Sequence, residues 1–343
     1  MSSKLNTINI HFILCTERSG SSLLSLMLNL NTQIISPSEE PFAVYFYDRY
    51  KHKVVWTDLE LIEFVDEFWL VAEKNLELFF TTKEKLLAVL STHKQQLPYQ
   101  HLVKLIYLQF IEPKDKAEVT VIVDKQIKYF FYLPVLIKIF PDAKFIILVR
   151  DVRDNIISKS NRNLNNGSNP VYLAALWKNT YNQIKHLQKA NKAVLVIKYE
   201  DLIMESKLTL QKICQFIDVN FQESMLNTDG VYKQFLDIKG SSTNLSEIAR
   251  LETFQSNLFK PINASHIGSY KENINLKLLS KIEKLNQSLF MLFGYKVSNT
   301  SNALYSINDY WQITKAYLYR PLLLKFYLMI PLSIKIMIKK LRS

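Results

Sequence analysis

The sequence predicts an α/β protein built on a parallel sheet with helices packed on its faces. Short, continuous apolar runs recur along the chain, at residues 8–15, 119–123, 144–149 and 193–197. Strands buried on both faces of a parallel sheet are apolar throughout in this way, whereas strands with one solvated face alternate. Segments with helical patterns lie between these runs, at residues 20–30, 129–139 and 170–189, as expected for crossover helices.

The composition supports an ordered globular protein. The 343 residues are 48% hydrophobic and include only 6 Gly and 10 Pro. Residues 42–110 are rich in aromatics and predict a mostly helical stretch, residues 241–270 are polar and predict a lid, and residues 275–293 predict a helix ending at Gly294. We expect one domain over residues 1–300 and a basic amphipathic tail over residues 301–343.

Positive charge is concentrated at the C-terminal end of the sequence. The net charge is +12, and no acidic residue follows Asp309, whereas seven basic residues do: Lys315, Arg320, Lys325, Lys335, Lys339, Lys340 and Arg342. Because Lys and Arg reach water while Leu, Ile and Phe are buried, Trp311–Ser343 predicts a helix on an anionic membrane surface. A helix packed on the same chain is the alternative. No motif predicts a nucleic-acid partner.

No segment predicts secretion or a membrane span. Residues 1–7 are polar, and no apolar run approaches the roughly 18 residues of a spanning helix. We expect Cys15 and Cys214 to be small core hydrophobes rather than a disulfide, and no Cys- or His-rich spacing predicts a metal site. The expected location is the cytoplasm, peripheral on the membrane if the tail binds there.

The first predicted strand runs into a polar turn that suits an anion. Thr16–Ser22 connects this strand to the next helix. Gly20 permits close approach of the backbone to a ligand, and the N–H groups of the turn converge where the helix dipole favours negative charge. Arg18 adds a cation, and Ser21 and Ser22 add hydroxyl donors. The turn therefore predicts a site for a phosphate or a sulfate ester.

Other chemistry-bearing residues follow the later strands. Lys125, Arg150 and Tyr199 lie at or just past the ends of predicted strands. Since ligands of parallel α/β sheets bind at the carboxyl ends of the strands, we expect these residues to share one rim with the first turn. The structural alternatives are an ion pair of Arg150 with Asp151 or Asp154, and simple packing of Tyr199 at the sheet edge.

Taken together, these segments resemble the sulfotransferases that use 3′-phosphoadenosine 5′-phosphosulfate (PAPS). Arg18–Leu23 resembles their 5′-phosphosulfate loop, in the Arg form of carbohydrate and protein-tyrosine sulfotransferases. Phe145–Asp154, with Ser158 eight residues after Arg150, resembles their 3′-phosphate motif. Two further segments are similar to family segments between and after these motifs, Asp124-Lys125 to the one with a second active-site lysine and Tyr199–Leu202 to the YEDL segment. The resemblance covers roughly residues 8–297.

The resemblance implies a P-loop-like sulfotransferase fold with helical insertions, and transfer of a sulfuryl group from PAPS to a hydroxyl on a glycan, a lipid or a small molecule. The implied cofactor-binding residues are Arg18, Ser19, Gly20, Ser21 and Ser22 for the 5′ side, Arg150 and Ser158 for the 3′-phosphate, and Tyr199 beside the nucleotide. Arg18 and Lys125 are implied to stabilise the leaving group, and no metal is required.

The resemblance also implies a catalytic base about twenty residues past the first loop. Glu39 and Glu40 lie 21 and 22 residues after Arg18, between Pro37 and Pro41. Neighbouring like charges raise the pKa of one carboxyl, which helps a base to work near neutrality. The sequence does not decide between the two glutamates.

The sequence departs from the family's pattern in three places. Val152 stands where Pro or Gly is frequent, Gln126 follows Lys125 where Pro is common, and no clear copy of the basic RKG loop is present. The candidates for the missing downstream 3′-phosphate contacts are Ser256, Lys260 and Lys271.

Two other functions fit parts of the sequence. A P-loop kinase would turn over ATP with magnesium, but the loop lacks the Gly-x-x-x-x-Gly-Lys-Ser/Thr pattern and its lysine. A membrane-associated nucleotide-binding protein without catalysis would bind the nucleotide tightly and transfer nothing.

Overall fold

A parallel sheet of five strands forms the centre of the protein in a computed structural model. The structure describes residues 2–37, 42–72, 81–110, 118–160, 169–229, 262–298 and 303–331, together with Ile334 and Met337. The strands are β1 (Asn9–Cys15), β2 (Ile34–Ile35), β3 (Val121–Lys125), β4 (Phe145–Val149) and β5 (Val194–Lys198). Their order is β2-β3-β1-β4-β5, and every neighbouring pair is parallel. The central β1 therefore has its carboxyl end beside those of β3 and β4.

Helices of the first half precede β1, connect β1 to β2 and fill the segment between β2 and β3. They are α1 (Ser2–Thr7), α2 (Ser21–Asn29), α3 (Phe42–Tyr45), α4 (Tyr47–Tyr50), α5 (Asp58–Ala72), α6 (Lys83–Ser91) and α7 (Tyr99–Tyr107), the last continued by a 3₁₀ turn (Leu108–Phe110). The ring of Phe68 contacts the rings of Phe42 and Phe64 within this insertion. The mostly helical stretch predicted over residues 42–110 is confirmed for the described part.

Helices of the second half alternate with β4 and β5 and then continue to the C-terminal side. They are α8 (Leu133–Ile139), α9 (Val152–Ser160), α10 (Pro170–Tyr181), α11 (Ile184–Lys189), α12 (Tyr199–Met204), α13 (Ser206–Phe216), α14 (Tyr270–Asn273), α15 (Leu276–Phe293) and α16 (Ile307–Met329), with 3₁₀ turns at Ile127–Phe131 and Glu223–Leu226. Gly294 ends α15 with φ at 67°, as the sequence predicts.

The apolar strands bury alternate residues in two cores, one on each face of the sheet. Phe12, Leu14 and Ile147 belong to one core, and Ile13 and Leu148 belong to the other. The predicted α/β class with a parallel sheet is therefore confirmed. Both cysteines, at positions 15 and 214, are buried and free. Within the described residues, no helix is both long and apolar enough to cross a membrane.

Three predicted elements differ in detail. The strand predicted at 119–123 occupies residues 121–125, because β1 sets its register, with Asn9 opposite Val121 and Ile13 opposite Lys125. The helix predicted at 129–139 is a 3₁₀ turn followed by α8, since Pro134 has no N–H to continue a helix and instead stands in its first turn.

The helix predicted at 170–189 is divided into α10 and α11. The side-chain amide of Gln183 donates to the carbonyl oxygen of Asn179 at 3.1 Å. That oxygen is the acceptor which a continuing α-helix would give to the main-chain N–H of Gln183, and this N–H donates to Thr180 instead. The side chain of Gln183 thus competes with its own main-chain N–H for the oxygen of Asn179, and the helix is interrupted there.

Candidate active site

The carboxyl ends of the strands gather the predicted site residues on one rim of the sheet. The first loop leaves β1 after Cys15, Lys125 is the last residue of β3, Arg150 follows β4, and Tyr199 follows β5. Register pairs these ends closely, with Cys15 opposite Leu148 and Val149 opposite Lys198. Residues that are more than a hundred positions apart in sequence are therefore neighbours, as predicted.

The backbone of the first loop adopts left-handed conformations at two residues. Arg18 and Gly20 both have positive φ, at 64° and 86°. A Cβ atom at Gly20 would lie 2.3 Å from Cδ2 of Tyr199, so the loop approaches that ring as closely as only glycine permits. The hydroxyl oxygens of Thr16 and Ser19 are hydrogen-bonded at 2.9 Å, which fixes the turn from inside.

The helix α2 begins at Ser21, directly after this turn. The first N–H groups of a helix have no partner within the helix, and the positive end of its dipole lies at the same place. Ser19 and Ser21 are buried at the start of α2, and Ser22 is half-buried there. This arrangement provides donors for an anion, as the sequence predicts.

Arg150 connects the first loop with the segment before α14. Its Nη1 donates to the main-chain oxygen of Arg18 at 3.1 Å, and its Nη2 donates to that of His266 at 2.9 Å. The guanidinium carbon lies 4.6 Å from the ring centroid of Tyr199. Nε of Arg150 is buried and has no hydrogen-bond partner among the described residues. A buried cation with an unused N–H fits an anionic oxygen of a ligand, because such a donor otherwise costs about 1–3 kcal/mol.

The two predicted phosphate motifs contact each other directly. Nε of Arg18 donates to the hydroxyl of Ser158 on α9 at 3.2 Å. The side-chain amide of Asn155, one turn earlier on the same helix, donates to the main-chain oxygen of Glu17 at 2.8 Å. The first loop is therefore held against α9 by two hydrogen bonds in addition to that from Arg150.

The two acids after Arg150 bind elsewhere, so the alternative of an ion pair with Arg150 is not observed within the described residues. Asp151 forms a buried ion pair with Arg153, at 2.6 Å between Oδ2 and Nη2. Arg153 also pairs with the buried Glu283 on α15, and its guanidinium carbon lies 4.1 Å from the ring centroid of Tyr270. The second arginine of the motif is thus structural, a role that the sequence analysis did not assign.

Asp154 holds the segment that carries His266. Its Oδ2 accepts from the N–H of Gly268 at 2.7 Å, and its Oδ1 accepts from the hydroxyl of Ser269 and the N–H of Tyr270, both at 3.0 Å. The end of the predicted lid is therefore fixed to the N-terminal turn of α9. The rest of that lid, with the candidates Ser256 and Lys260, lies outside the described residues, and Lys271 is exposed on α14.

Tyr199 and Glu200 join β5 to the same rim. The Tyr199 ring lies between Gly20 and Arg150, so it packs against both loops rather than only at the sheet edge. Glu200 accepts from the N–H of Asp151 at 3.0 Å and from the hydroxyl of Tyr295 at 2.8 Å. Burial raises the pKa of Glu200, while these donors stabilise its charged form.

Lys125 is buried at the end of β3, and its neighbour Asp124 is fixed on the opposite side of the strand. Asp124 accepts from the hydroxyl of Tyr107, and from the side-chain amide of Gln126 at 2.9 Å. Burial raises the pKa of Asp124 to about 6, although both donors favour its charged form. Asp124 thus ties β3 to the helical insertion.

The candidate bases Glu39 and Glu40 lie outside the described residues, but the chain before them is well defined. Ser36 exchanges two hydrogen bonds with the side chain of Asn29, both at 2.7 Å. Its hydroxyl also donates to the main-chain oxygen of Val123 at 3.0 Å. The chain therefore leaves β2 on the same rim as Lys125. Among the described residues, no group of three or more His, Cys, Asp or Glu side chains is arranged to hold a metal ion.

The fold and this rim define an α/β protein in which the first loop and Arg150 are in contact at the carboxyl ends of parallel strands. A model of the sulfotransferase family matches residues 11–223, which include both loops. The chain therefore belongs to the sulfotransferase family.

Curated relatives and solved structures agree with this family. The chain is similar to a putative protein-tyrosine sulfotransferase of Caenorhabditis briggsae, 23% identical over 195 residues that cover 54% of this chain and 65% of that protein. It is also similar to one of Caenorhabditis elegans, 21% identical over 193 residues that cover 54% and 70%. The chain thus spans less than two thirds of the first of these relatives.

One solved structure shows the fold. The sulfotransferase domain from the Synechococcus PCC 7002 olefin synthase superposes with a TM-score of 0.52 and 22% identity, and the match covers 82% of this chain and 95% of that domain. The sulfotransferase fold predicted from the sequence is confirmed.

Proposed function

We propose that this protein transfers a sulfuryl group from PAPS to a hydroxyl acceptor. The observation that supports this most directly is the contact between the two cationic loops, in which Arg150 binds the main chain of Arg18 and Arg18 binds Ser158. A nucleotide with phosphate groups on both its 5′ and 3′ sides needs two anion sites at a fixed separation. The contact provides one rigid unit with a cation at each site.

Two groups of residues bind the two ends of PAPS in the proposal. PAPS supplies the sulfuryl group when it is bound. In the proposal, the N–H groups and hydroxyls of Ser19–Ser22 bind the 5′ side, and Arg150 and Ser158 bind the 3′-phosphate. The unused Nε of Arg150 supports this assignment. The ring of Tyr199 packs against both Arg150 and Gly20, and so fixes the position of Arg150 relative to the first loop.

Arg18 and Lys125 are the proposed cations for the leaving group. Both lie at the carboxyl ends of the two adjacent strands β1 and β3. Fixed positive charge near the oxygen that gains negative charge lowers the barrier of a group transfer, most strongly in a site from which water is excluded. Lys125 is buried, which fits this role.

Glu39 or Glu40 is the proposed base, which takes the proton from the acceptor hydroxyl. The position of Ser36 supports this proposal, because Ser36 is bonded to β3 and α2 only three residues before Glu39. Phe42, two residues after Glu40, is fully buried. The described residues on either side of the two acids, Ser36 and Phe42, are therefore both fixed in the domain.

The proposed acceptor is a hydroxyl on a glycan, a lipid or another surface-linked molecule, with small molecules included. Because the two nematode relatives are named as putative protein-tyrosine sulfotransferases, we include the phenol hydroxyl of tyrosine among the proposed acceptors. We propose that residues 1–300 carry the reaction and that residues 301–343 are a basic amphipathic tail, the first helix of which packs on α10. A cytoplasmic location is proposed because both cysteines are buried and free, as is usual in a reducing compartment.

Transfer of labelled sulfate from PAPS to a panel of sugar, lipid, tyrosine-peptide and phenol acceptors tests the proposal. We expect transfer with the wild type, a loss of at least about tenfold for Lys125→Met, and a loss of about 100-fold or more for one of Glu39→Gln and Glu40→Gln. The exposed Glu205→Gln is the matched control and should not change the rate.

Three outcomes would contradict parts of this proposal. Unchanged transfer in the Glu39→Gln/Glu40→Gln double variant would remove the assignment of the base. Tight nucleotide binding with no transfer to any acceptor would indicate a binding protein. Magnesium-dependent turnover of ATP would indicate a kinase.

A further inference from the structure

The helix α16 is attached to the domain by one side only. Ala316 is fully buried against Ala175 and Leu176 of α10. The side-chain amide of Asn179 donates to the main-chain oxygen of Ala316 at 3.2 Å. Asp309 caps α16 together with Ser306 and forms an ion pair with Lys281 of α15. The first half of α16 is therefore docked, which is the alternative that the sequence analysis gave for this part of the tail.

The other side of α16 exposes large apolar side chains. Trp311 is 63% exposed, Leu318 is 55% exposed and Phe326 is 63% exposed, and Ile307 and Leu322 are exposed as well. At about 100° per residue, these five positions fall within roughly 100° of the helix circumference, and the buried Ala316 lies about 180° from Ile307. The outer face of α16 is therefore a mostly apolar stripe, although the exposed Asn308 and Lys315 fall within the same arc, and the described residues do not cover it.

The charge of the sequence after Asp309 indicates which partner suits this stripe. After Asp309 the chain contains seven basic residues and no acidic one. Two copies paired through this helix would bring the same positive charges together, whereas an anionic lipid surface attracts each of them. Tyr310 and Trp311, both exposed, are residue types that favour the level of lipid headgroups.

We propose that the outer face of α16 binds the surface of an anionic lipid bilayer and holds the catalytic domain there. The apolar stripe enters the boundary between headgroups and acyl chains, and the net positive charge of the tail attracts the anionic headgroups. The helix lies in the plane of the surface, because its inner side remains on α10. This inference does not depend on the identity of the sulfuryl donor.

Sedimentation of the full-length protein with vesicles tests the proposal. The vesicles are pure phosphatidylcholine, or phosphatidylcholine with about 30% phosphatidylserine. The test variant is Trp311→Ser/Leu318→Ser/Phe326→Ser. The matched control is Leu59→Ser/Leu276→Ser/Met291→Ser, which removes three apolar side chains that are 78%, 72% and 77% exposed elsewhere. Thermal melting and nucleotide affinity establish that each variant folds.

We expect the wild type and the control to sediment with the anionic vesicles and not with pure phosphatidylcholine. The test variant should lose binding at least tenfold, and added salt should weaken the wild type. Brominated lipids should quench the wild-type fluorescence through Trp311, and the test variant should lose this quenching, since it keeps the buried Trp56 and Trp177 and the partly buried Trp69. Equal binding of wild type and test variant would overturn the proposal. So would a wild-type dimer in solution that the test variant dissociates, because a second copy would then cover the stripe.

Discussion

The Arg150 guanidinium donates a hydrogen bond to the main-chain oxygen of Arg18, across 132 positions of the sequence. Arg18 in turn donates from its side chain to Ser158, eight residues after Arg150. The two loops thus hold each other, and neither is an independent anion site. A change in one loop should therefore affect the binding of both ends of a nucleotide.

Gly20→Ala should impair the first loop by two effects. A left-handed backbone costs an ordinary residue about 1–2 kcal/mol, and the new methyl group would overlap the Tyr199 ring, with 2.3 Å to its Cδ2. We expect a lower melting temperature and at least about a tenfold loss of affinity for 3′-phosphoadenosine 5′-phosphate, measured by calorimetry.

The control for the effect on melting temperature is Gly268→Ala; nucleotide affinity is not compared, because Gly268 belongs to the segment that contacts Arg150 through His266. Gly268 has φ at 77°, but its Cβ would meet only the end of the Lys271 side chain, at 3.8 Å. Both variants therefore place an alanine in a left-handed backbone conformation. Only Gly20→Ala also makes a steric overlap with the Tyr199 ring. Equal effects of the two variants would contradict a role for the contact between Gly20 and Tyr199. Partial recovery in Gly20→Ala/Tyr199→Ala would support it.

Asp154→Asn should release the segment around Gly268. The amide keeps one acceptor oxygen, so at least one of the buried donors on Gly268, Ser269 and Tyr270 loses its partner. Such a loss costs about 1–3 kcal/mol. We expect faster hydrogen exchange at the amides of residues 268–270. We also expect nucleotide affinity to be about tenfold lower, because the main-chain oxygen of His266 would no longer accept a hydrogen bond from Arg150.

The exposed Asp201→Asn, at the start of α12, is the control for this change. It should alter neither the exchange rates nor the affinity. Exchange at residues 268–270 that stays as slow in Asp154→Asn as in the wild type would show that other contacts hold this segment.

Asp124 should make the stability of the protein depend on pH. Its pKa is about 6 in the folded chain against an ordinary value of 3.8, so the folded state binds the proton more tightly. The free energy of unfolding is therefore highest with the proton bound and falls as pH rises from about 4 to 6. In Asp124→Asn this contribution is absent.

The comparison is made by denaturant unfolding at pH 5 and pH 7. Between these values the wild type should lose about 1 kcal/mol more stability than Asp124→Asn, since one pKa unit corresponds to about 1.4 kcal/mol. Other groups titrate equally in both proteins and cancel. Identical changes in the two proteins would mean that Asp124 is charged at both pH values.

The local signals were sufficient to predict the sheet and the two loops. The apolar runs before Thr16 and Arg150 predict buried parallel strands, and Gly20 and the serines predict the anion turn. These features depend on neighbouring residues and on the general rule that ligands bind at the carboxyl ends of strands. The two-residue strand β2 was not predicted, because Ile34-Ile35 is too short to form a pattern.

The roles of Arg153 and Asp154 could not be predicted from local sequence. Their partners Glu283 and Gly268 are more than a hundred positions away, so only the fold brings them together. The alternation of acids and arginines in Arg150–Asp154 indicates that more than one pairing of these charges is possible. It did not reveal which arginine would keep a donor for a ligand.

The central claim is that Arg150 holds a 3′-phosphate, and calorimetric titration with 3′-phosphoadenosine 5′-phosphate and with adenosine 5′-phosphate tests it most directly. Wild type, Arg150→Ala, Arg150→Lys and, as a control, the exposed Arg49→Ala are compared. We expect the wild type to prefer the 3′-phosphorylated nucleotide by at least about tenfold, Arg150→Ala to lose this preference, and Arg150→Lys to retain part of it. Equal affinity of the wild type for both nucleotides, or an unchanged preference in Arg150→Ala, would contradict the claim.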